Sequence, residues 1–282
     1  MEQPQGPGSP YVQLVDEDDR DGADLPAEFR ALYGRWPLPA ARERPYTFTN
    51  FVVSRDGRVS FNEPGKSSGG PISGYSRHDR WLMGLLRARA DAVLLGGTSF
   101  SAAPRHAWTP EAIFPDDTPA WTALRRSEER RPIPLHVIVT RTGTIIPASP
   151  VIRDPAIPVL VATTTSGLAR AKELVGDAPN VQTLALGETV DFPHLLRLLG
   201  ESHGIRTVLS EAGPQVYAAL IQSRAVDDEF LTLSPVVVGN SPQSPRPSLV
   251  ESVAFRPENP PRTHLLGVRR AGDFLFLHSR YM

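Results

Sequence analysis

The chain has 282 residues, 40% of them hydrophobic and 22% charged, with a formal net charge of −1 and a pI near 6.7. This balance leaves no basic field for nucleic acid, and the length suffices for one large domain with an ample core or for two small ones. With no cysteine, disulfides, thiolate zinc sites and a cysteine nucleophile are excluded. The composition fits a cytoplasmic protein acting on small molecules. No apolar run approaches the ~20 residues of a membrane span, and the polar start MEQPQGPGSP lacks a signal-peptide pattern. The seven histidines form no HExxH or other helical pair, so no metal site is expected.

Residues 1–43 read as an N-terminal extension. It carries an acidic run over 16–21 and a first ten residues expected to be disordered. Leu25, Phe29, Leu32, Tyr33 and Trp36 share one face of a short helix, which suggests packing on the main domain or on a partner subunit. From Tyr46 onward strands and helices alternate: strand 46–54, helix 75–88, strands 91–96, 135–140 and 157–163, helix 166–175, strand 181–185, helix 191–200 and strand 206–210. Helix 214–223, strand 228–238 and an antiparallel pair near 263–270 and 273–281, turning at Ala271-Gly272, complete an α/β domain over 44–282. The Pro-rich stretch 99–134, with a helix at 118–130, is long for a connection and reads either as a surface excursion or as a lid.

Thr207–Asn240 is the most informative stretch. An apolar strand meets Ser210-Glu211-Ala212-Gly213-Pro214, and a helix follows with Val216, Ala219 and Leu220 on one face. Gly213 admits close backbone approach, Pro214 suits the first helical position, and the free N–H groups at the helix start favour a pyrophosphate. Gly96-Gly97-Thr98 ends another apolar strand in a second turn suited to phosphate. Thr140-Arg141, at a further strand end, offers a hydroxyl and a guanidinium for a 2′-phosphate. Each feature also has a plain structural reading, as a crossover, a turn or a solvated strand end. Glu211 would repel a bound phosphate and so should face the reacting molecule. Asn50 lies inside an apolar strand and serves either a structural hydrogen bond or a ligand, while Asp56 in Asp56-Gly57 serves a turn or a site. Arg87, near a helix end, complements the helix dipole or holds a phosphate, and Arg89 beside it reads as solvated.

SEAGP with its helix and VDDEFLTLSPVVVG, together with RPYTFTNFVVSRDG at 44–57 and LRARADAVLLGGT at 86–98, resembles the reductase domain of riboflavin biosynthesis, the RibD C-terminal domain. The resemblance covers residues 44–282. It implies a dihydrofolate reductase-like fold: a mostly parallel central sheet flanked by helices, with a C-terminal antiparallel strand pair. The preceding zinc deaminase of many relatives, which needs cysteine ligands, is not implied. The implied activity is NADPH-dependent reduction of a ribosylaminopyrimidine 5′-phosphate, ribose to ribityl, by a homodimer. Alternatives are a dihydrofolate reductase-like enzyme acting on a pterin or another small carbonyl or imine, and a non-catalytic NADP-binding module.

By the same resemblance Glu211 and Asp56 are catalytic, and Asn50, Ser73, Arg87, Arg105 and Glu211 bind substrate. Val53, Ile72, Gly96, Gly97, Thr98, Thr140, Arg141, Gly213, Pro214 and Gln215 bind cofactor. The chain departs from the family where an acidic residue usually follows GGT; here Ala102-Ala103 stand before Pro104, and Arg105 follows. Ala212 replaces a usual glycine, and Arg55 a usual leucine.

Overall fold

The computed structural model describes residues 2–40 and 43–282. Its strands are β1 (Val12–Asp16), β2 (Tyr46–Val53), β3 (Ala92–Gly96), β4 (Leu135–Thr140), β5 (Val159–Thr163), β6 (Val181–Ala185), β7 (Thr207–Ser210), β8 (Asp228–Leu233), β9 (Thr263–Ala271) and β10 (Phe274–Tyr281). They form one sheet in the order β1-β9-β10-β8-β2-β7-β3-β4-β5-β6. The run from β8 to β6 is parallel throughout, and β10, β9 and β1 add on antiparallel. The helices are α1 (Ala27–Tyr33), α2 (Gly70–Ser73), α3 (Arg77–Ala88), α4 (Gly97–Ala102), α5 (Pro110–Ile113), α6 (Thr118–Ser127), α7 (Pro150–Arg153), α8 (Leu168–Val175), α9 (Phe192–His203) and α10 (Pro214–Gln222).

Strand side chains alternate between two cores, as the period of two requires. Val93 and Leu95 of β3 enter one with Phe48, Trp81, Trp121 and Phe230, while Ala92 and Leu94 enter the other with Val137, Leu196 and Tyr217. Such double-sided burial is what a parallel sheet covered by helices demands, and it explains the near-continuous apolar runs of β3 and β4. β2 lies between β7 and β8, with Phe48 opposite both Leu209 and Asp228. Open α/β sheets bind ligands beyond the C-terminal ends of such strands, where the order reverses.

Several expectations are corrected. β8 stops at Leu233 because Pro235 has no N–H for the ladder; Val236–Gly239 instead form a loop, in which Val238 and Gly239 donate to the Asp56 carboxylate at 3.0 and 2.7 Å. Ala271 pairs with Phe274, so the hairpin turns on Gly272-Asp273, with Gly272 at φ 57°. Residues 99–134 fold into α5, α6 and a 3-10 turn at Pro115–Asp117, with Trp108, Phe114 and Trp121 buried.

The N-terminal extension is also built in. Backbone N–H groups of Gln5 and Gly6, expected in a disordered lead, donate to Asp117 at 2.6 and 3.0 Å, and β1 pairs with β9. The α1 face is covered within the chain: Phe29 stacks on Trp121 at 5.7 Å, and Trp36 meets Phe48 and Phe230 edge-on. Arg89 is fully buried, not solvated. It donates to Trp36 O, to Ala23 O at 2.7 Å and to Glu128 at 2.7 Å, so the end of α3 fastens the extension to the domain.

Candidate active site

A cavity of about 430 Å³ opens over the C-terminal ends of β2, β7 and β3 and is walled by α2, α3 and the segment from α4 to α5. Its centre is an ion pair. Arg87 Nε and Nη2 donate to the two carboxylate oxygens of Glu211, each at 2.7 Å, and Arg87 is 1% exposed. The planar guanidinium fork matches the carboxylate and fixes its direction. Arg87 Nη1 turns the other way, to His106 Nε2 at 3.0 Å and Thr109 O at 3.2 Å. Burial, with the Arg87, His136 and Arg80 charges, holds the His106 imidazole down at about 3. It is therefore neutral at pH 7, and its Nε2 accepts the Arg87 proton. The Glu211 backbone N–H donates to Leu94 O at 3.0 Å, which ties this turn to β3.

Asn50, Ser73 and Gly213 line the same cavity with Arg87 and Glu211. The Asn50 amide makes no hydrogen bond among the described residues and faces the cavity. Ser73 is buried, its Oγ donating to Gly70 O at 3.1 Å. Beside the cavity the glycine turns converge. β3 passes directly into α4 at Gly97, where a Cβ would lie 3.2 Å from that of Thr140. At Gly213, whose φ is −68°, a Cβ would lie 3.3 Å from Ser99 Oγ. The requirement at Gly213 is thus close approach rather than positive φ. Gly213 caps α10 without a side-chain acceptor, Pro214 occupies the first turn, Gln215 is exposed, and Val216 packs 3.5 Å from a Cβ placed on Gly96. Thr98 and Arg141 are exposed, Thr140 is buried, and Arg141 makes no ion pair among the described residues.

Other anticipated residues lie apart. Asp56 accepts from Ser54 Oγ at 2.6 Å and from the Val238 and Gly239 N–H groups; with the Ser54 hydrogen bond foremost, its carboxyl is held down at about 2. Its three donors come from the ends of two neighbouring strands, Ser54 after β2 and Val238 and Gly239 from the loop after β8. Arg105 is exposed and outside the cavity wall, as is Arg55 on the turn after β2. Val53 and Ile72 are buried and joined through Ser234, whose N–H donates to Val53 O and whose Oγ donates to Ile72 O.

Three cavity residues were not anticipated from the sequence. Arg80 lines the wall with one donor, Nη2, bound to Ile113 O at 2.8 Å. His106 props Arg87. Asp79 lies in the first turn of α3, whose N-cap Ser76 accepts from the Asp79 N–H, and it is 4% exposed. Burial pushes its carboxyl up to about 6, against the Thr232 and Ser73 hydroxyls and with the Glu211 charge adding to the rise. A Ser-x-x-Asp helix start signals a cap, which is all the local pattern shows.

Residues 45–273 match the family model described as RibD C-terminal domain. Over 199 residues the chain is 27% identical to the 2,5-diamino-6-ribosylamino-4(3H)-pyrimidinone 5′-phosphate reductase of Archaeoglobus fulgidus, covering 70% of this chain and 83% of the relative. Among solved structures it resembles a pyrimidine reductase-like protein from Corynebacterium diphtheriae, with a TM-score of 0.65 and 16% identity over 84% of this chain and 92% of that one. It also resembles RibD of Acinetobacter baumannii, with a TM-score of 0.63 and 20% identity over 85% of this chain; the match spans only 59% of that longer chain. These likenesses establish the fold as that of the pyrimidine reductases.

Proposed function

Because the chain belongs to the RibD C-terminal domain family, we propose that it is an NADPH-dependent reductase converting the ribosyl group of a ribosylaminopyrimidine 5′-phosphate to ribityl. The observation that carries the reading is the enclosed Arg87–Glu211 pair, set beside two glycine turns in one cleft.

The residues present fit a dinucleotide. Gly97 and Gly213 leave space that any Cβ would fill, and α10 begins with donors that no side chain caps. Gly96, Gly97, Thr98, Gly213, Pro214 and Gln215 would hold the pyrophosphate, and Thr140 with Arg141 the 2′-phosphate. When bound, the cofactor supplies hydride.

The chain's own residues position the acceptor. Glu211, held rigid by Arg87, offers an oriented carboxylate edge to the hydroxyls and amines of the substrate, and the Asn50 amide supplies both a donor and an acceptor. All three guanidinium nitrogens of Arg87 are engaged within the protein, so we assign it to act through Glu211 in place of the phosphate clamp that the family resemblance implies. Arg80, with donors to spare on the cavity wall, is the cation we assign to the 5′-phosphate. Arg105 would be a second contact only if the segment after α4 closed inward. Trp108, buried on the cavity wall, gives the reacting face an apolar side.

The test is loss of reduced-nicotinamide absorbance with the pyrimidine phosphate and dihydrofolate offered separately. Turnover of the first alone is expected. Turnover of dihydrofolate alone would make this a pterin reductase, and cofactor binding with neither reaction would make it a binding module. The family's homodimeric assembly is part of the proposal, and sedimentation at twice 30.8 kDa is the expected result.

A further inference from the structure

Two carboxyl groups line the cavity, and their surroundings differ. Glu211 is matched atom for atom by a guanidinium. Asp79 has no cation: none of the ion pairs among the described residues includes it, and what favours its ionised form comes from the neutral hydroxyls of Thr232 and Ser73. The charged and titratable groups around it are Glu211 from the turn after β7, Tyr11 from the N-terminal extension, and Arg80, Arg87 and His106 on the cavity wall. Tyr11 donates its hydroxyl proton to His78 O at 2.6 Å, and burial raises its own titration, so it remains a neutral neighbour. His106 is neutral as well, and Arg87 is committed to Glu211. An acid buried beside a fixed carboxylate and without a counter-charge keeps its proton near neutrality.

We propose that Asp79 is the proton donor of this cavity, protonating the ring oxygen of the ribosylamine as its sugar opens; the assignment rests on the substrate class proposed above. The C1′–O4′ bond breaks, its electron pair goes to O4′, and O4′ takes the Asp79 proton. The lone pair of the attached nitrogen forms the C1′=N bond of an open-chain iminium. A hydride with its electron pair, from the reduced nicotinamide, then reduces C1′, and the C=N pair returns to nitrogen. One proton and one hydride are consumed, and water in the open cavity returns a proton to the Asp79 carboxylate. Glu211, bound through both carboxylate oxygens by Arg87, remains the positioning carboxylate. The division of labour between the two acids follows from Arg87 facing one of them and not the other.

The experiment follows kcat from pH 5 to pH 8 for the parent, D79N and D79E, beside a carboxyl-carbon NMR titration of the parent without substrate or cofactor. The parent kcat should fall as pH rises through and above about 6, because the protonated acid is the active form. D79N keeps the shape of the side chain and loses the proton. Its kcat at pH 6 should drop about 100-fold or more with a flat profile and a KM within about threefold of the parent. D79E should keep a descending limb, and the NMR midpoint should lie well above the ordinary aspartate value of about 3.9.

D79N with the parent rate and the parent profile would remove Asp79 from the chemistry. So would a flat D79E profile at full rate, or an NMR midpoint below about 4. A parent that does not turn over the pyrimidine phosphate overturns the function itself and the donor role with it. That outcome is distinct from an active parent matched by an equally active D79N.

Discussion

At the N-terminal ends of the parallel strands, Asp228 is buried with Arg20 at 2.8 Å and His278 Nε2 at 2.7 Å, and Arg20 in turn grips Asp18. On the same edge of the sheet, at the start of β3, Asp91 accepts from the Arg206 and Thr207 N–H groups at 2.9 and 3.0 Å and pairs with Arg130 at 2.6 Å. At the C-terminal ends Asp79 is also buried, yet among the described residues no cation pairs with it. The Asp228 carboxyl is held below its ordinary value, since His278, Arg20 and Tyr46 outweigh the burial that opposes ionisation. Asp79 goes the other way. Both edges bury charge, so burial alone does not mark a site; the distinguishing feature is a carboxyl without compensation beside open volume.

The comparison can be broken hardest at Arg87. Replacing it with Met leaves Glu211 without its partner, and the expected cost is about 3–5 kcal/mol of stability, with at least a 100-fold loss of turnover in the fraction that folds. Denaturant unfolding checks the first and initial rates the second. A further Glu211→Leu change should recover stability without recovering rate. At the other edge, Asp228→Asn should cost about 3 kcal/mol while kcat of the folded protein stays within about twofold. A rate loss there would end the claim that this edge is purely structural.

Asp79→Asn should stabilise. The folded pKa of Asp79 is raised from 3.8 to about 6. Neutral burial therefore favours folding fully below the unfolded value, and that contribution is lost as pH rises through about 6. A side chain that never ionises escapes the loss, so D79N should exceed the parent by about 2–3 kcal/mol at pH 8 and match it near pH 4. Thermal or urea unfolding at the two pH values measures the difference. The smallest effect is expected at Arg141. The parent should bind NADPH more tightly than NADH, and Arg141→Ala should narrow the gap by up to about tenfold. Equal affinities in the parent would remove Arg141 from the cofactor site.

How much of this was legible in the chain depends on the distance over which each feature is decided. The unit from β7 through α10 is local: apolar run, turn residues and helical spacing adjoin within sixteen positions, and the structure has them where the pattern predicts. The pairing of Arg87 with Glu211 joins residues 124 positions apart, and each alone reads as a ligand contact. Asp79 reads as an ordinary acid in the first turn of a helix, because the groups that act on its charge, Thr232 of β8 and Glu211 after β7, lie far along the chain. β1 escaped notice for a related reason: Val12 and Leu14 are about half exposed, so no alternating apolar face announces the strand. Asp56 carried a turn signal that the structure bears out, and its carboxylate serves a loop contributed by residues 238–239.

The edge pairing of β1 also bears on the order in which the molecule is completed. Val12 lies opposite Arg270 and Asp16 opposite Gly267, so β1 finds its partner only once residues 263–271, far along the chain, have emerged. The contacts from Arg89 to Ala23 and Trp36 can form sooner, but β1 has no partner until β9 exists. Pairings so distant in sequence carry the largest loop-closure cost and form late. During synthesis the extension is therefore a waiting segment, and its docking reports that the C-terminal hairpin has arrived.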